Sequence, residues 1–131
     1  MFGGNCYRHP YGDRRNWVDA ESECQRLLAG AHLASIHSAE EMQFVRDNVP
    51  TDHTVASWIW LGANLNGEGS WTWTDGSSWD YTDWYPGQPD NLGGSENCLE
   101  ELLYAGVKGW NDRPCNQIRQ VVCKAPLIAG N

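Results

Sequence analysis

Five cysteines constrain this chain more than any other feature. Cys6, Cys24, Cys98, Cys115 and Cys123 are scattered along 131 residues, and no two of them form a CxxC pair. Zinc ribbons and thioredoxin-like redox sites need such pairs, so neither has support. Widely spaced cysteines in a small, loop-rich chain point instead to structural disulfides, which persist in an oxidising compartment. A secreted or extracellular protein is therefore expected. Five buried, reduced thiols in a cytosolic protein form the competing reading. Because five is odd, one cysteine is left over, and the spacing does not say which.

The chain reads as one domain, 1–131, able to bury roughly two-thirds of the surface its unfolded form exposes. Eight tryptophans stand against two phenylalanines, so either the core or a binding surface is rich in indole. A formal net charge of −8 argues against nucleic acid as a partner, because phosphates would be repelled, and suits a soluble protein that attracts cations. No apolar run approaches the roughly eighteen residues needed to cross a bilayer, so no membrane insertion is expected. The start, "MFGGNCYRHP", has neither the charged nor the apolar region of a signal peptide, so a secreted form would be a mature one.

Two helices are legible near the start. Trp17, Ala20, Cys24, Leu27 and Leu28 form an apolar stripe of helical period, with Asn16 as N-cap and Gly30 as stop. A second helix begins at Ser38, whose capping-box partner is Glu41; Phe44, Val45, Asn48 and Val49 follow, and Pro50 lies just beyond. "HLASI" between them is short enough for a strand. "SWIWLGANL" reads as a buried strand, and "GSWTWTDG" as a half-buried strand ending in a turn. From Asp75 to Gly109 the chain is dense in Gly, Ser, Asp, Asn, Trp and Pro, a long loop of the kind that is functional when ordered. Its Trp79, Tyr81, Trp84 and Tyr85 are costly to leave in water, which argues for order. Short strands around "CLEEL" and "QVVCK" close the domain. The class is α+β, two helices flanking small antiparallel sheets with one long ordered loop.

"PGQPDNLGGSENC" within that loop and "GWNDRPC", the segment that begins at Gly109, together offer Gln88, Asp90, Glu96, Asn111 and Asp112. Three carboxylates and two amide carbonyls suit a hard divalent cation, and the mixed, roomy set favours Ca²⁺ over octahedral Mg²⁺. Cys98 and Cys115 end the two segments. A disulfide between them would draw Glu96 towards Asn111 and Asp112 and add about 3 kcal/mol by restricting the unfolded chain.

Along nearly its whole length the chain resembles the C-type lectin domain. The marks are "SWIWLG", "WYPGQPD", Glu96 two residues before Cys98, "WNDRPC" and "VVCK". The resemblance implies the disulfides Cys24–Cys123 and Cys98–Cys115 and a calcium held by Gln88, Asp90, Glu96, Asn111 and Asp112. It implies that the same five residues bind sugar, two neighbouring hydroxyls coordinating the ion while exchanging hydrogen bonds with its ligands. Carboxylates only accept and amide NH₂ groups only donate, so their order sets the polarity of the site. Family members with Glu-Pro-Asn generally take mannose-type sugars; Gln-Pro-Asp resembles the galactose-type class, so galactose or N-acetylgalactosamine glycans are the implied partners.

One departure is visible. Galactose-type relatives usually place a Trp soon after the tripeptide to stack on the sugar, whereas here the region reads "NLGGS", with Leu92. Losing that stack costs about 1–3 kcal/mol by analogy with other aromatic stacking. Trp84 and Trp110 are read as core residues. A second calcium, found in some members, would fall to Asn64, Glu68, Asn91 and Asn97; three amides where acids are common weaken it, so it is not expected to fill. Cys6 lacks the upstream partner of longer members and is read as free, truncated from its partner, or tethering a homodimer.

Catalysis has little support. There is no Gly-x-Ser-x-Gly elbow, no HExxH and no acid beside a recognisable nucleophile, so the chain is read as a non-enzyme. His9, His32, His37 and His53 lack zinc-like spacing and are read as surface or packing residues. The rival to a calcium-dependent lectin is the same fold turned to a non-sugar surface or protein partner: ice, a biomineral or another protein.

Overall fold

Asn16 caps the first helix as its residue type predicts: its side-chain oxygen accepts the Asp19 amide at 2.8 Å. A computed structural model describes residues 3–9, 14–48, 57–87, 97–104 and 107–126. In chain order its elements are β1 (Asn5–Arg8), β2 (Arg14–Arg15), α1 (Trp17–Leu27), β3 (His32–Leu33), α2 (Ala39–Asn48), β4 (Ser57–Leu65), β5 (Trp71–Trp73), β6 (Cys98–Tyr104), β7 (Val107–Arg113), β8 (Arg119–Val121) and β9 (Cys123–Pro126). The α+β class with two helices and small sheets is what the sequence leads one to expect.

Helix α1 buries Trp17, Ala20 and Cys24, with Leu27 and Leu28 half-buried at its end. Ser38 accepts the Glu41 amide at 3.0 Å at the start of α2. The Glu41 carboxylate reaches back one residue further than a capping box requires, to the His37 amide at 2.7 Å. There it also accepts from Lys124 on β9 and from the Tyr7 hydroxyl on β1, so one carboxylate ties the helix start to two strands. The inward side of α2 is Met42 and Val45; Asn48, expected in the stripe, is exposed, and Val49 and Pro50 lie outside the described residues.

The strands form two sheets, one ordered β1-β9-β3 and a larger one ordered β2-β8-β4-β6-β7, with β5 paired to β4. Among these described strands all pairings are antiparallel except β4 with β8. "QVVCK", expected as one strand, divides at Val122 into β8 of one sheet and β9 of the other. "HLASI" is a strand only at His32–Leu33. Beyond it Gly62 comes so close that a Cβ there would stand 2.2 Å from the Leu33 carbonyl oxygen.

The disulfides are Cys24–Cys123 and Cys98–Cys115, the pairing the family resemblance implies. Cys6 is unpaired. The indoles belong largely to the core, with Trp58 exposed. Trp73 and Trp110 are buried, and Trp71, Trp79, Tyr81 and Trp84 pack against the same cluster. Trp110 meets Trp79, Trp84 and Tyr81 with ring centres 5.7, 5.9 and 5.8 Å apart. Pairs in such tilted and edge-on geometries add about 0.5–1.5 kcal/mol each beyond their burial. They hold residues 75–87 to the sheet, as the aromatic content of that stretch predicts.

Candidate functional site

Asn111 and Asp112 sit on β7, a strand that the sequence does not lead one to expect and whose first residues fall in the loop expected from Asp75 to Gly109. Strand β7 pairs with β6, setting Asn111 opposite Glu100 and Asp112 opposite Leu99. Successive side chains on a strand face opposite ways. Asp112 accordingly goes with Trp110 to the buried side, fully enclosed, while Asn111 is half-buried on the other. The two can serve one ligand only from the strand's outer edge. Along that edge Trp84 forms an isolated parallel bridge to Trp110, with the Tyr85 amide donating to the Trp110 carbonyl at 2.9 Å and the Trp110 amide to the Asp83 carbonyl at 2.8 Å. Gly109 permits this approach, since a Cβ there would lie 2.8 Å from the Tyr85 Cα.

Gln88, Asp90 and Glu96 lie outside the described residues, as do Asn91 and Leu92. Of the second calcium set, Asn64 stands opposite Cys98 in the β4–β6 pairing, and the neighbouring Asn97 carbonyl accepts the Leu65 amide at 2.9 Å. Glu68 is exposed in the turn that follows β4. Among the described residues no three His, Cys, Asp or Glu side chains are grouped to hold a metal ion. Trp110 is a core residue as expected, Trp84 is half-buried, and Tyr85 is 36% exposed, the aromatic nearest in sequence to Gln88 that offers a surface.

Two buried glutamates on β6 were not singled out in the sequence. Glu100 accepts from Arg119 Nε at 2.8 Å and from Asn111 Nδ2 at 3.0 Å. Glu101 faces the other way and pairs with Arg46 of α2, which also reaches Asp83 at 2.7 Å. Burial pushes the Glu101 carboxyl up to about 7, with Arg46 pulling against it and Asp83 adding to it. Its Oε1 is buried with no hydrogen-bond partner among the described residues. Consecutive acids inside an apolar strand were the available sign, because such charges are buried only with partners.

A cleft of about 440 Å³ lies elsewhere, lined by β1, β3 and β9 residues and by Ser35, His37, Asp75 and Ser77. Here the fold brings together an acid, an imidazole and a hydroxyl: His37 Nδ1 is 2.6 Å from Asp80 Oδ1, and its Nε2 is 3.0 Å from Ser77 Oγ. The outline is that of a hydrolytic triad, but the Ser77 hydroxyl donates to Asp75. Its proton is therefore not placed to pass to His37. The Ser77 amide is likewise committed to Asp75, and the Gly76 amide to the Trp73 carbonyl, so neither is placed to stabilise an oxyanion. Hydrogen bonds from Ser35 and Ser77 overcome the effect of burial and hold the Asp75 carboxyl below its ordinary range. His9 bonds Gln120 and His32 bonds Glu21, both packing roles; His53 lies outside the described residues.

Residues 13–125 match the family model described as the lectin C-type domain. A protein named lectin from Pleurodeles waltl is 37% identical over 128 residues, covering 93% of this chain and 73% of its own. Among solved structures, the C-type lectin domain of murine dendritic cell inhibitory receptor 2, in complex with N-glycan, aligns with a TM-score of 0.83 at 28% identity, covering 96% of this chain and 94% of that one. A calcium-independent type II antifreeze protein aligns with a TM-score of 0.81 at 32% identity, covering 98% and 91%.

Proposed function

This chain belongs to the C-type lectin domain family, and from that membership we propose a secreted, calcium-dependent carbohydrate-binding protein that recognises galactose- or N-acetylgalactosamine-type glycans. One observation carries the reading: the chain enters and leaves residues 88–96 beside Asn111 and Asp112. Tyr85, three residues before Gln88, is bonded to Trp110. Cys98, two residues after Glu96, lies opposite Arg113 and is joined to Cys115. Three residues of extended chain span at most about 10 Å. Covalent reach of that order from Tyr85 and from Cys98 supports grouping Gln88 and Glu96 with Asn111 and Asp112.

The donor chemistry at that edge fits a hard cation. The Asn111 amide nitrogen is engaged by Glu100, so its carbonyl oxygen is directed away from Glu100. Asp112 adds a carboxylate, and Gln88, Asp90 and Glu96 complete an oxygen set suited to Ca²⁺. Bound calcium would supply open coordination positions for two neighbouring sugar hydroxyls. The chain's own part is to orient them: Asp90, Glu96 and Asp112 accept from hydroxyls, and the Gln88 amide donates. That order is the basis of the galactose-type assignment. Tyr85 is the exposed ring available to replace the stacking Trp missing after Asp90.

A single sugar held this way binds at around millimolar, roughly −4 kcal/mol, so useful recognition calls for several domains acting together. Cys6, unpaired on β1, is assigned the tether of a homodimer; non-reducing electrophoresis of protein from an oxidising host tests it, and monomer alone refutes it.

The similarity to a calcium-independent antifreeze protein favours a second reading, the same fold binding a non-sugar surface or a protein partner. A glycan array run with calcium and with EDTA separates the two. Calcium-dependent retention on terminal galactose or N-acetylgalactosamine supports the lectin; an array blank under both conditions sinks it.

A further inference from the structure

We propose that Glu100 is a positioning residue that fixes which atom of the Asn111 amide faces the proposed calcium and sugar site. The inference rests on the lectin reading above and names a residue outside its five ligands.

Glu100 is fully buried on β6, and its two oxygens are divided between two partners: Oε1 takes Arg119 Nε at 2.8 Å, and Oε2 takes Asn111 Nδ2 at 3.0 Å. Arg113 Nε stands 3.9 Å from the same Oε2. These residues form a row across four strands of one sheet face. Arg119 on β8 lies over the Trp58 ring of β4 at 4.9 Å and reaches Glu100 on β6, which reaches Asn111 on β7. The row is rigid because each member sits on a strand and the charged centre of the row is buried.

An asparagine amide can turn by half a rotation and exchange its oxygen for its nitrogen at little cost in shape. The two orientations are opposite in chemistry: one offers a cation an oxygen, the other an NH₂ group that repels it. A carboxylate can only accept. Glu100 therefore bonds the Asn111 nitrogen and rejects the oxygen, which leaves the carbonyl on the side away from Glu100. Arg119 holds the carboxylate in place by donating to its other oxygen. The logic is that of the carboxylates which orient metal-binding histidines, whose loss typically costs 10–100-fold in metal affinity.

Glutamine at this position removes the selection, because its own amide can turn to match either orientation of Asn111. The test is calcium titration calorimetry on wild type, E100Q and E100L/R119M. The double variant replaces the buried pair with apolar groups of similar size, which is commonly tolerated, so its calcium-free melting temperature controls for folding. The expected result is a 10–100-fold rise in calcium Kd in both variants, with the double variant's calcium-free melting temperature near wild type. The second readout needs no calcium: the Asn111 side-chain amide resonances, assigned by their loss in N111D, should be protected from solvent exchange in wild type and unprotected in both variants. An unchanged Kd together with unchanged amide protection overturns the role of Glu100. If wild type binds no calcium the lectin reading fails, and the amide protection alone decides: its loss in E100Q supports the positioning role, its persistence refutes it.

Discussion

Gly109 and Tyr85 pass so closely that no side chain fits between them: a Cβ on Gly109 would lie 2.8 Å from the Tyr85 Cα and 2.9 Å from its nitrogen. This contact sets the 83–85 segment against β7 and so fixes where the chain departs towards Gln88. Gly109→Ala should cost about 1–3 kcal/mol in urea denaturation, the usual range for overpacking a tight site. Gly67→Ala, with open space around it, should change stability by less than about 0.5 kcal/mol. Equal effects at the two positions would contradict the contact.

Calcium and sugar should be lost together. Asp112→Asn removes one carboxylate from the proposed set and should raise the calcium Kd by about tenfold or more, since affinity follows ligand charge. At a hundredfold excess over Kd the ion should add about 2.7 kcal/mol to stability, a gain that EDTA abolishes. Retention on a galactose resin should fall with EDTA and again as pH drops into the carboxylate range, because the ligands must be deprotonated. Retention that survives both treatments would refute the mechanism.

Glu101 makes stability depend on pH in an unusual direction. Its folded carboxyl titrates near 7 and its ordinary value is 4.5, so between those limits the folded state holds a proton that the unfolded state has lost. Its contribution is complete below pH 4.5 and is lost as pH rises through 7. Wild type should therefore lose on the order of 2 kcal/mol more than Glu101→Gln between pH 5 and 7.5, measured as the difference in urea midpoints. Parallel midpoints in the two proteins would show that Arg46 keeps Glu101 ionised throughout.

The order of amide and acid around Pro89 should decide the sugar. Exchanging them in Q88E/D90N reverses donor and acceptor across the site. A glycan array should then show preference moving from galactose-type to mannose-type ligands, by tenfold or so in relative affinity for a bidentate polar contact of about 1.4 kcal/mol. Selectivity that stays with galactose would place the determinant elsewhere.

The local signals that succeeded in the sequence were those carried by neighbours along the chain. Asn16 and Ser38 announce their helices because a cap acts within four residues. β4 is legible because the apolar run from Trp58 to Leu61 lies at its heart. β7 was not, because "VKGWNDR" has a glycine in its middle and polar residues at its end; β6 makes it a strand through pairing, which no local pattern reports. The short β1 and β2 depend on partners in the same way. Glu100 and Glu101 find their cations at Arg119 and Arg46, 19 and 55 residues away, distances over which composition is silent. At the candidate site, Asn111 and Asp112 were legible as oxygen donors, but their placement on opposite faces of a strand was not. Gln88, Asp90 and Glu96 rest on residue type and family resemblance, joined by the positions of Tyr85 and Cys98.

The Cys24–Cys123 bond spans a sequence separation of 99 residues. Any single cut inside that span leaves both fragments on one covalent molecule. A protease that clipped residues 88–96 would therefore disable recognition without shedding a piece, and the damaged protein would migrate with the intact one until its disulfides were reduced. Inactivation of this kind is invisible to an assay of quantity and plain to an assay of binding.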